Sequence, residues 1–515
     1  MYDLLFKNAR LIDGSGASWQ RGDLAVKDGR IAAVGGVISA SANEVIDAES
    51  LVLTPGFIDI HSHSDSSLAN AREAESRILQ GVTTELAGNC GGSPNIKKGY
   101  TETNDHAWTR LSAYFKDLAE GGISVNFATL VGHGTLRAAA MGYEQRPATT
   151  AEIVTMQNLA DEAMQDGAFG MSSGLIYPPS SYADVNELTE VAKALTAYHG
   201  IYESHVRHEN EHMLASLKEA AAVGIGAGIP VQIAHLKVTG RKNWQVTMPS
   251  VLAYIEKQRR LGLDITMDQY PYTASSTSLS TLIPQWAHNG GNEAMLSRLA
   301  DPDQRNRIRQ EILDANAHEE RLWSDYLISR LPSGNYNHLE GKTLEEIGTI
   351  LCKDPIDAAL DLILEEKVRI GRIFFGMAED DVELVMSHPL TMIGSDGSAQ
   401  SLNAPGVPHP RSFATFTRVL GHYCRTRQLF SLETAVKKMT GLPAWRMRLA
   451  DRGLLRQGFK ADLVLFDADT ISDVPSYANP KQASAGIERV YVNGVLTAFQ
   501  GKHTGARAGQ IILRT

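Results

Sequence analysis

Cysteine is scarce in this chain. Its 515 residues include three, Cys90, Cys352 and Cys424, too few and too scattered for a disulfide framework, so a reducing, cytoplasmic setting is expected. Basic charge is also short: 49 Lys and Arg against 59 Asp and Glu leave a net charge of −10. With no basic excess to neutralise phosphates, nucleic acid and anionic membrane are excluded as principal partners. A small anionic ligand, which needs only one or two local cations, is not excluded. No stretch approaches ~18 uninterrupted apolar residues, so no membrane-spanning helix is expected. The start, Met1-Tyr2-Asp3-Leu4-Leu5-Phe6-Lys7, lacks the basic, apolar and cleavage regions of a secretory signal. Low-complexity sequence is missing too, and the first candidate barrel strand is not followed by the glycine-rich fingerprint of a dinucleotide-binding fold.

What remains is ordinary globular sequence, 43% apolar and 21% charged, long enough for two or three domains. Residues 3–12 and 23–35 read as short strands, with Asp28-Gly29 as a hairpin turn. From residue 51 apolar runs alternate with amphipathic stretches, the signature of repeated βα units. Eight runs stand out: 52–60, 82–86, 125–131, 169–173, 201–204, 231–234, 265–269 and 390–394. Eight parallel strands, each followed by a helix, close into a (β/α)8 barrel of the TIM type. The seventh unit is interrupted by a polar, helix-patterned insertion at 284–388, a candidate lid beside the barrel mouth. After residue 440 short strands return, including Lys460-Ala461-Asp462-Leu463-Val464-Leu465-Phe466-Asp467. The expected organisation is a discontinuous β-sandwich domain from 1–54 and 441–515, a barrel over 55–440, and the inserted subdomain within it.

Active-site residues of such barrels come from the carboxyl ends of different strands. The first run ends in His61-Ser62-His63. Strand positions i and i+2 face the same side, so the two imidazoles point together, about 6 to 7 Å apart along the chain. The second run leads into Gly88-Asn89-Cys90-Gly91-Gly92. The fifth ends in Ser204-His205, the sixth in Ala234-His235-Leu236-Lys237, and the eighth in Ser395-Asp396-Gly397. Singly, each has a dull explanation: a core histidine, a buried thiol, a turn aspartate. Together they form a metal-ligand inventory spread over five strand ends of one barrel. Imidazole and thiolate favour one or two zinc ions over hard cations. Asp396 is the carboxylate placed to act as general acid and base. These parts suit metal-assisted hydrolysis of a carbon–nitrogen bond. His133 and His208, also near strand ends, read as supporting or structural residues.

The motif Gly56-Phe57-Ile58-Asp59-Ile60-His61-Ser62-His63 resembles the opening of the amidohydrolase superfamily. Gly88-Asn89-Cys90-Gly91-Gly92-Ser93-Pro94 places cysteine where many members have a bridging lysine. Together with Ser204-His205-Val206-Arg207, His235-Leu236-Lys237, Asp268-Gln269-Tyr270-Pro271-Tyr272, Gly394-Ser395-Asp396-Gly397 and His409-Pro410-Arg411, it resembles the D-aminoacylase (N-acyl-D-amino-acid deacylase) family over nearly the whole chain.

The resemblance implies hydrolysis of N-acyl-D-amino acids by zinc-bound hydroxide, with Asp396 moving the proton. It implies that Cys90 and His205 hold a tightly bound zinc. His61, His63 and His235 would form a second, weaker site, to which Asp396 can also contribute. Lys237, Tyr270 or Tyr272, and Arg411 would hold the substrate carboxylate, which an Arg fork suits bidentately. Ser276 or Ser278 would line the same pocket. No motif dedicates a cation to an acidic side chain, so a neutral, apolar D-residue is expected. The rivals are a dipeptidase cleaving L-Xaa-D-Xaa, a cyclic-amide hydrolase, disfavoured by Cys90, and a non-catalytic scaffold, which the intact ligand set argues against.

Overall fold

The computed structural model describes residues 1–94 and 110–514. Its centre is a closed barrel of eight parallel strands: β1 (Phe57–Asp59), β2 (Val82–Ala87), β3 (Asn126–Thr129), β4 (Gly170–Gly174), β5 (Ile201–His205), β6 (Val231–Ile233), β7 (Ile265–Gln269) and β8 (Thr391–Ile393). Every residue of these strands is buried, as expected for a parallel sheet covered on both faces. Neighbours pair in parallel from β1 to β3 and from β4 to β8. The short extension Val131–Gly132 carries β3 across to β4. The ring closes at the strands' carboxyl end, where the Asp396 amide donates to the His61 carbonyl at 2.8 Å and the His63 amide to the Gly397 carbonyl at 2.8 Å.

The apolar run 52–60 is not one strand. Val52–Pro55 leaves the barrel and pairs antiparallel with Leu463–Phe466, with Leu53 opposite Leu465. The break falls at Gly56, where any Cβ would stand 2.1 Å from the Thr83 hydroxyl oxygen. Only glycine lets the chain pass so close to β2 while switching sheets. Strands from both chain ends form one nine-stranded sheet, folded over a core that includes Phe6, Leu24, Val26, Leu53, Leu463 and Tyr491. The molecule is therefore a (β/α)8 barrel with a β domain built from both ends.

Helices cover the barrel's outside. The helix Thr150–Gln165 starts in a capping box, with Thr149 and Glu152 each satisfying the other's free amide, a motif that fixes a helix start at that residue. The helix Gly441–Met447 seats Ala444 and Met447 against Ile58, Ile60 and Leu86 at the barrel's floor. The chain's end runs beside β3, the Ile512 amide donating to the Phe127 carbonyl at 2.8 Å.

Between β7 and β8 stands a unit with its own core, including Leu279, Ile308, Ile347 and Leu360. Its antiparallel sheet joins Ser275–Ser278 and Tyr326–Arg330 to the central strand Gly371–Phe374. The following helix, Glu379–Ser387, packs on β8 and on the helix Met248–Arg260, so it is a barrel helix. On this packing we place the inserted unit at 275–374 rather than 284–388. We place the floor helix Gly441–Met447 with the barrel rather than the β domain. No described helix is long and apolar enough to cross a membrane.

Candidate active site and metal centre

The barrel mouth opens into a cavity of about 1370 Å³, walled on one side by the inserted sheet. His61 lies two residues past the end of β1. Its Nδ1 lies 3.0 Å from an Asp268 oxygen on β7, and that oxygen also accepts the His235 amide at 2.8 Å. Gln232 donates to the other Asp268 oxygen at 2.7 Å. A carboxylate on Nδ1 fixes the proton there and leaves Nε2 free as a ligand. That Nε2 faces Cys90 Sγ at 3.4 Å, and His235 Nε2 faces the same sulfur at 3.4 Å.

Cys90 is carried by a loop bent at Gly88, where a Cβ would stand 2.2 Å from the Leu130 carbonyl oxygen. Asn89 ties the loop down by donating to the carbonyls of Ser62 and Leu86. Burial alone would push the Cys90 thiol up. The charge on His61, with the imidazoles of His205 and His63 close by, outweighs it and holds the thiol well below its ordinary range. Cys90, His235 and Asp396 have φ of 53°, 28° and 51°. These values lie in left-handed backbone territory that costs a non-glycine residue roughly 1 kcal/mol or more, the kind of strain that clusters at functional sites.

Asp396 follows β8. One oxygen lies 2.9 Å from His63 Nε2 and 3.6 Å from His61 Nε2, and the other lies 2.7 Å from Arg411 Nη1. Burial would raise its pKa, but Arg411 first, then His235 and His63, bring it well below the usual carboxylate range. His205, at the end of β5, is buried, and neither ring nitrogen has a hydrogen-bond partner. Its ring meets that of His235 edge-on at 4.4 Å, and Glu209 Oε1 stands 3.6 Å from its Nε2.

Buried, unpartnered imidazole nitrogens are rare and costly. Here they sit beside a low-pKa thiol and a carboxylate, which is what a metal site looks like from the protein's side. Ligand atoms of His61, Cys90, His235 and Asp396 lie within 4.8 Å of one another, as do those of His205, Glu209 and His235. The residues present fit a zinc centre. All six residues singled out as ligands converge on this one region.

Of the residues expected to meet the substrate, Lys237, Arg411, Ser276 and Ser278 line the cavity and Tyr270 and Tyr272 do not. Lys237 is bound to Glu209 at 2.5 Å and lies 2.7 Å from His235 Nδ1, and Arg411 is paired with Asp396, so both cations already have carboxylate partners. Tyr270 and Tyr272 are buried behind the wall. The Tyr270 hydroxyl turns to the Met377 sulfur at 3.6 Å, and its ring supports Arg411 at 5.0 Å. Tyr272 packs edge-on against His409. Ser276 lines the cavity and holds Arg411 through its carbonyl at 3.0 Å. Ser278 bonds Ser280 Oγ at 2.8 Å. His133 Nδ1 lies 2.9 Å from Ser180 Oγ, and His208 is among the residues lining the cavity.

Sequence reasoning missed Glu209, Asp268 as a histidine anchor, and Tyr177, whose ring packs on His205 at 5.2 Å. It also missed the network beneath the ligands. Arg77, fully buried, donates to Asp59 and Ser395, and Glu85 accepts from Ser62 and Ser64. For Glu209 a signal existed, four residues after His205 on the loop that follows β5.

A (β/α)8 barrel with imidazole, thiolate and carboxylate donors at its strands' carboxyl ends defines the class of metal-dependent barrel hydrolases. The chain belongs to the amidohydrolase family, whose model matches residues 44–498. It is 38% identical to a D-aminoacylase of Alcaligenes xylosoxydans xylosoxydans, over 100% of this chain and 98% of the relative. It is 37% identical to an N-acyl-D-aspartate deacylase of the same organism, over 99% and 95%. A solved structure on the binuclear metal center of D-aminoacylase, with one-metal activation and second-metal attenuation, superposes with a TM-score of 0.84 at 37% identity over the full length of both chains. The N-acyl-D-glutamate deacylase of Bordetella bronchiseptica, complexed with zinc and a phosphonate inhibitor, superposes with a TM-score of 0.85 at 32% identity, also over both full chains.

Proposed function

We propose that this protein uses zinc to hydrolyse the amide bond of N-acyl-D-amino acids, releasing a carboxylate and a free D-amino acid. The observation that carries the reading is the convergence of Cys90, His61, His63, His205, His235 and Asp396 in one cavity, in a chain similar end to end to deacylases of D-amino acids.

On this reading Cys90 and His205 hold the tightly bound ion, and His61, His63 and His235 a weaker second site. Zinc held there supplies Lewis-acid polarisation of the acyl carbonyl and acidification of water. Asp396, kept ionised by Arg411 and His63, takes the proton from the attacking water and returns it to the departing amine nitrogen. Arg411 and Lys237, which line the cavity, present the charges that meet the α-carboxylate. Asp268 and Gln232 hold His61 in its ligating tautomer. The substrate is a small molecule, and the expected setting is cytoplasmic.

The test is a zinc-reconstituted assay on acetyl-D- and acetyl-L-amino acids beside Gly-D-Leu. Hydrolysis confined to the acetyl-D series supports the proposal. A strong preference for the dipeptide would replace it with a dipeptidase, and no metal binding with no hydrolysis would leave a scaffold.

A further inference from the structure

The cavity wall opposite the ligands carries a charge that the proposed chemistry leaves unused. Arg372 lies on the central strand of the inserted sheet, directly across from Thr277. Its Nε and Nη2 both reach the Thr281 hydroxyl, at 3.2 and 3.0 Å. Its Nη1 is buried with no hydrogen-bond partner, and no carboxylate among the described residues pairs with it.

Beside it stands Arg321. The two guanidinium carbons are each 5.3 Å from the Phe374 ring centre, so one aromatic ring supports both cations. Arg321 is paired with Glu319, but its Nε is buried and unpartnered. Of the two guanidiniums on this cavity wall, to which Arg321, Arg372 and Phe374 all contribute, only Arg321 has a carboxylate partner. Three other cations that line the cavity have carboxylate partners: Arg411 has Asp396, Lys237 has Glu209 and Arg207 has Glu219. Burial pushes the Arg372 guanidinium below its ordinary value, as expected for a charge short of a counter-ion.

Tyr177 connects this wall to the ligands. Its ring packs on His205 at 5.2 Å, and its hydroxyl lies 3.1 Å from Thr277 Oγ1. The same sheet holds Arg411 through the Ser276 carbonyl at 3.0 Å. One short antiparallel sheet therefore positions two separate guanidinium sites around the reacting centre. Arg is the side chain suited to planar recognition of a carboxylate in a partly desolvated site.

We propose that Arg372, supported by Arg321 and Phe374, is a second anion subsite, and that the preferred substrates are N-acyl-D-amino acids bearing a second carboxylate. This rests on the deacylase reading above and narrows its substrate class, replacing the neutral side chain expected from sequence. The second carboxylate belongs either to the D side chain, as in acetyl-D-Asp and acetyl-D-Glu, or to the acyl group, as in succinyl-D-Leu.

The wild-type enzyme, reconstituted with zinc, is assayed on these three and on acetyl-D-Leu. At least one dianion is expected to exceed acetyl-D-Leu in kcat/KM by about tenfold or more, with the advantage shrinking as salt rises. Which dianion leads tells side chain from acyl group. In Arg372→Met the dianion-to-leucine ratio is expected to fall about tenfold or more, and Arg372→Lys to restore part of it. A wild-type preference for acetyl-D-Leu over every dianion overturns the proposal. So does an unmoved ratio in an Arg372→Met protein that melts like wild type. Calorimetric titration with glutarate against butyrate reads the subsite without turnover. Tighter binding of glutarate in an enzyme inactive on all four substrates would uphold the subsite while the deacylase reading fails, and equal binding of the two would reject it.

Discussion

A single oxygen of Asp268 accepts from two directions: His61 Nδ1 lies 3.0 Å away and the His235 backbone amide 2.8 Å away. One carboxylate on β7 thereby orients the ligand ring after β1 and the ligand-bearing turn after β6. Replacing it with Asn keeps the size but offers an amide that can donate to Nδ1, allowing the tautomer with the proton on Nε2. Asp268→Asn is therefore expected to weaken zinc about 10- to 100-fold, the usual cost of losing such an anchor. Zinc affinity measured by competition with a chelator checks this, and unchanged affinity would remove Asp268 from the site's supporting structure.

Cys90 Sγ lies 3.4 Å from both His61 and His235, at the meeting point of the donor set. Cys90→Ala is expected to lose tight zinc and activity together. His61→Ala leaves Cys90, His205, His235 and Asp396 in place and is expected to retain one zinc per chain. Metal analysis of both purified variants decides the assignment. Tight zinc in the Cys90 variant would move the working ion to the histidines.

The ligand types were legible because chemistry-bearing residues at strand ends stand out from apolar runs. His61, His63, Cys90, His205, His235 and Asp396 all do so. Their supports did not stand out. Asp268 lies inside a strand and Glu209 in a polar loop, where acidic residues are common. The left-handed backbone at Cys90, His235 and Asp396 leaves no mark in residue type. The barrel's order was readable from the βα period, but the sheet switch at Gly56 was hidden by apolar residues on both sides of it. Arg372 escaped because its partner Thr281 is 91 residues away in sequence, and a pairing of that range has no periodicity to betray it.

Arg77 has no exposed side-chain surface and lies between Asp59 at 3.3 Å and Glu85 at 3.6 Å. Through Ser395, Ser62 and Ser64 these three tie the loop after β1 to the loop after β8. Arg77→Met fills the volume but leaves two buried carboxylates without their cation. Removing one partner of a buried pair costs about 3–5 kcal/mol, so a large fall in thermal or urea midpoint is expected. Adding Asp59→Asn to the same chain neutralises one stranded charge and is expected to recover part of the loss. Equal stability of wild type and Arg77→Met would show that the network carries no net weight.

Lys438 is buried and donates to the carbonyls of His388 at 2.6 Å and Thr391 at 3.1 Å, pinning the start of β8. Burial, the main cause, and then Lys437 push its pKa down to about 7 from an ordinary 10.5. The sign follows from proton binding. Between these two values the unfolded chain holds the proton more tightly than the folded one, so folding stability rises with pH across that window, by up to about 1.4 kcal/mol per pH unit. Below pH ~7 both states carry the proton and the slope vanishes. The contribution is isolated by comparison with Lys438→Met, which keeps every other titrating group. Urea midpoints of the two proteins at pH 7 and pH 9 are expected to diverge, with wild type gaining on the variant at the higher pH. Parallel midpoints would mean that the two carbonyls hold the ammonium fully charged in the fold.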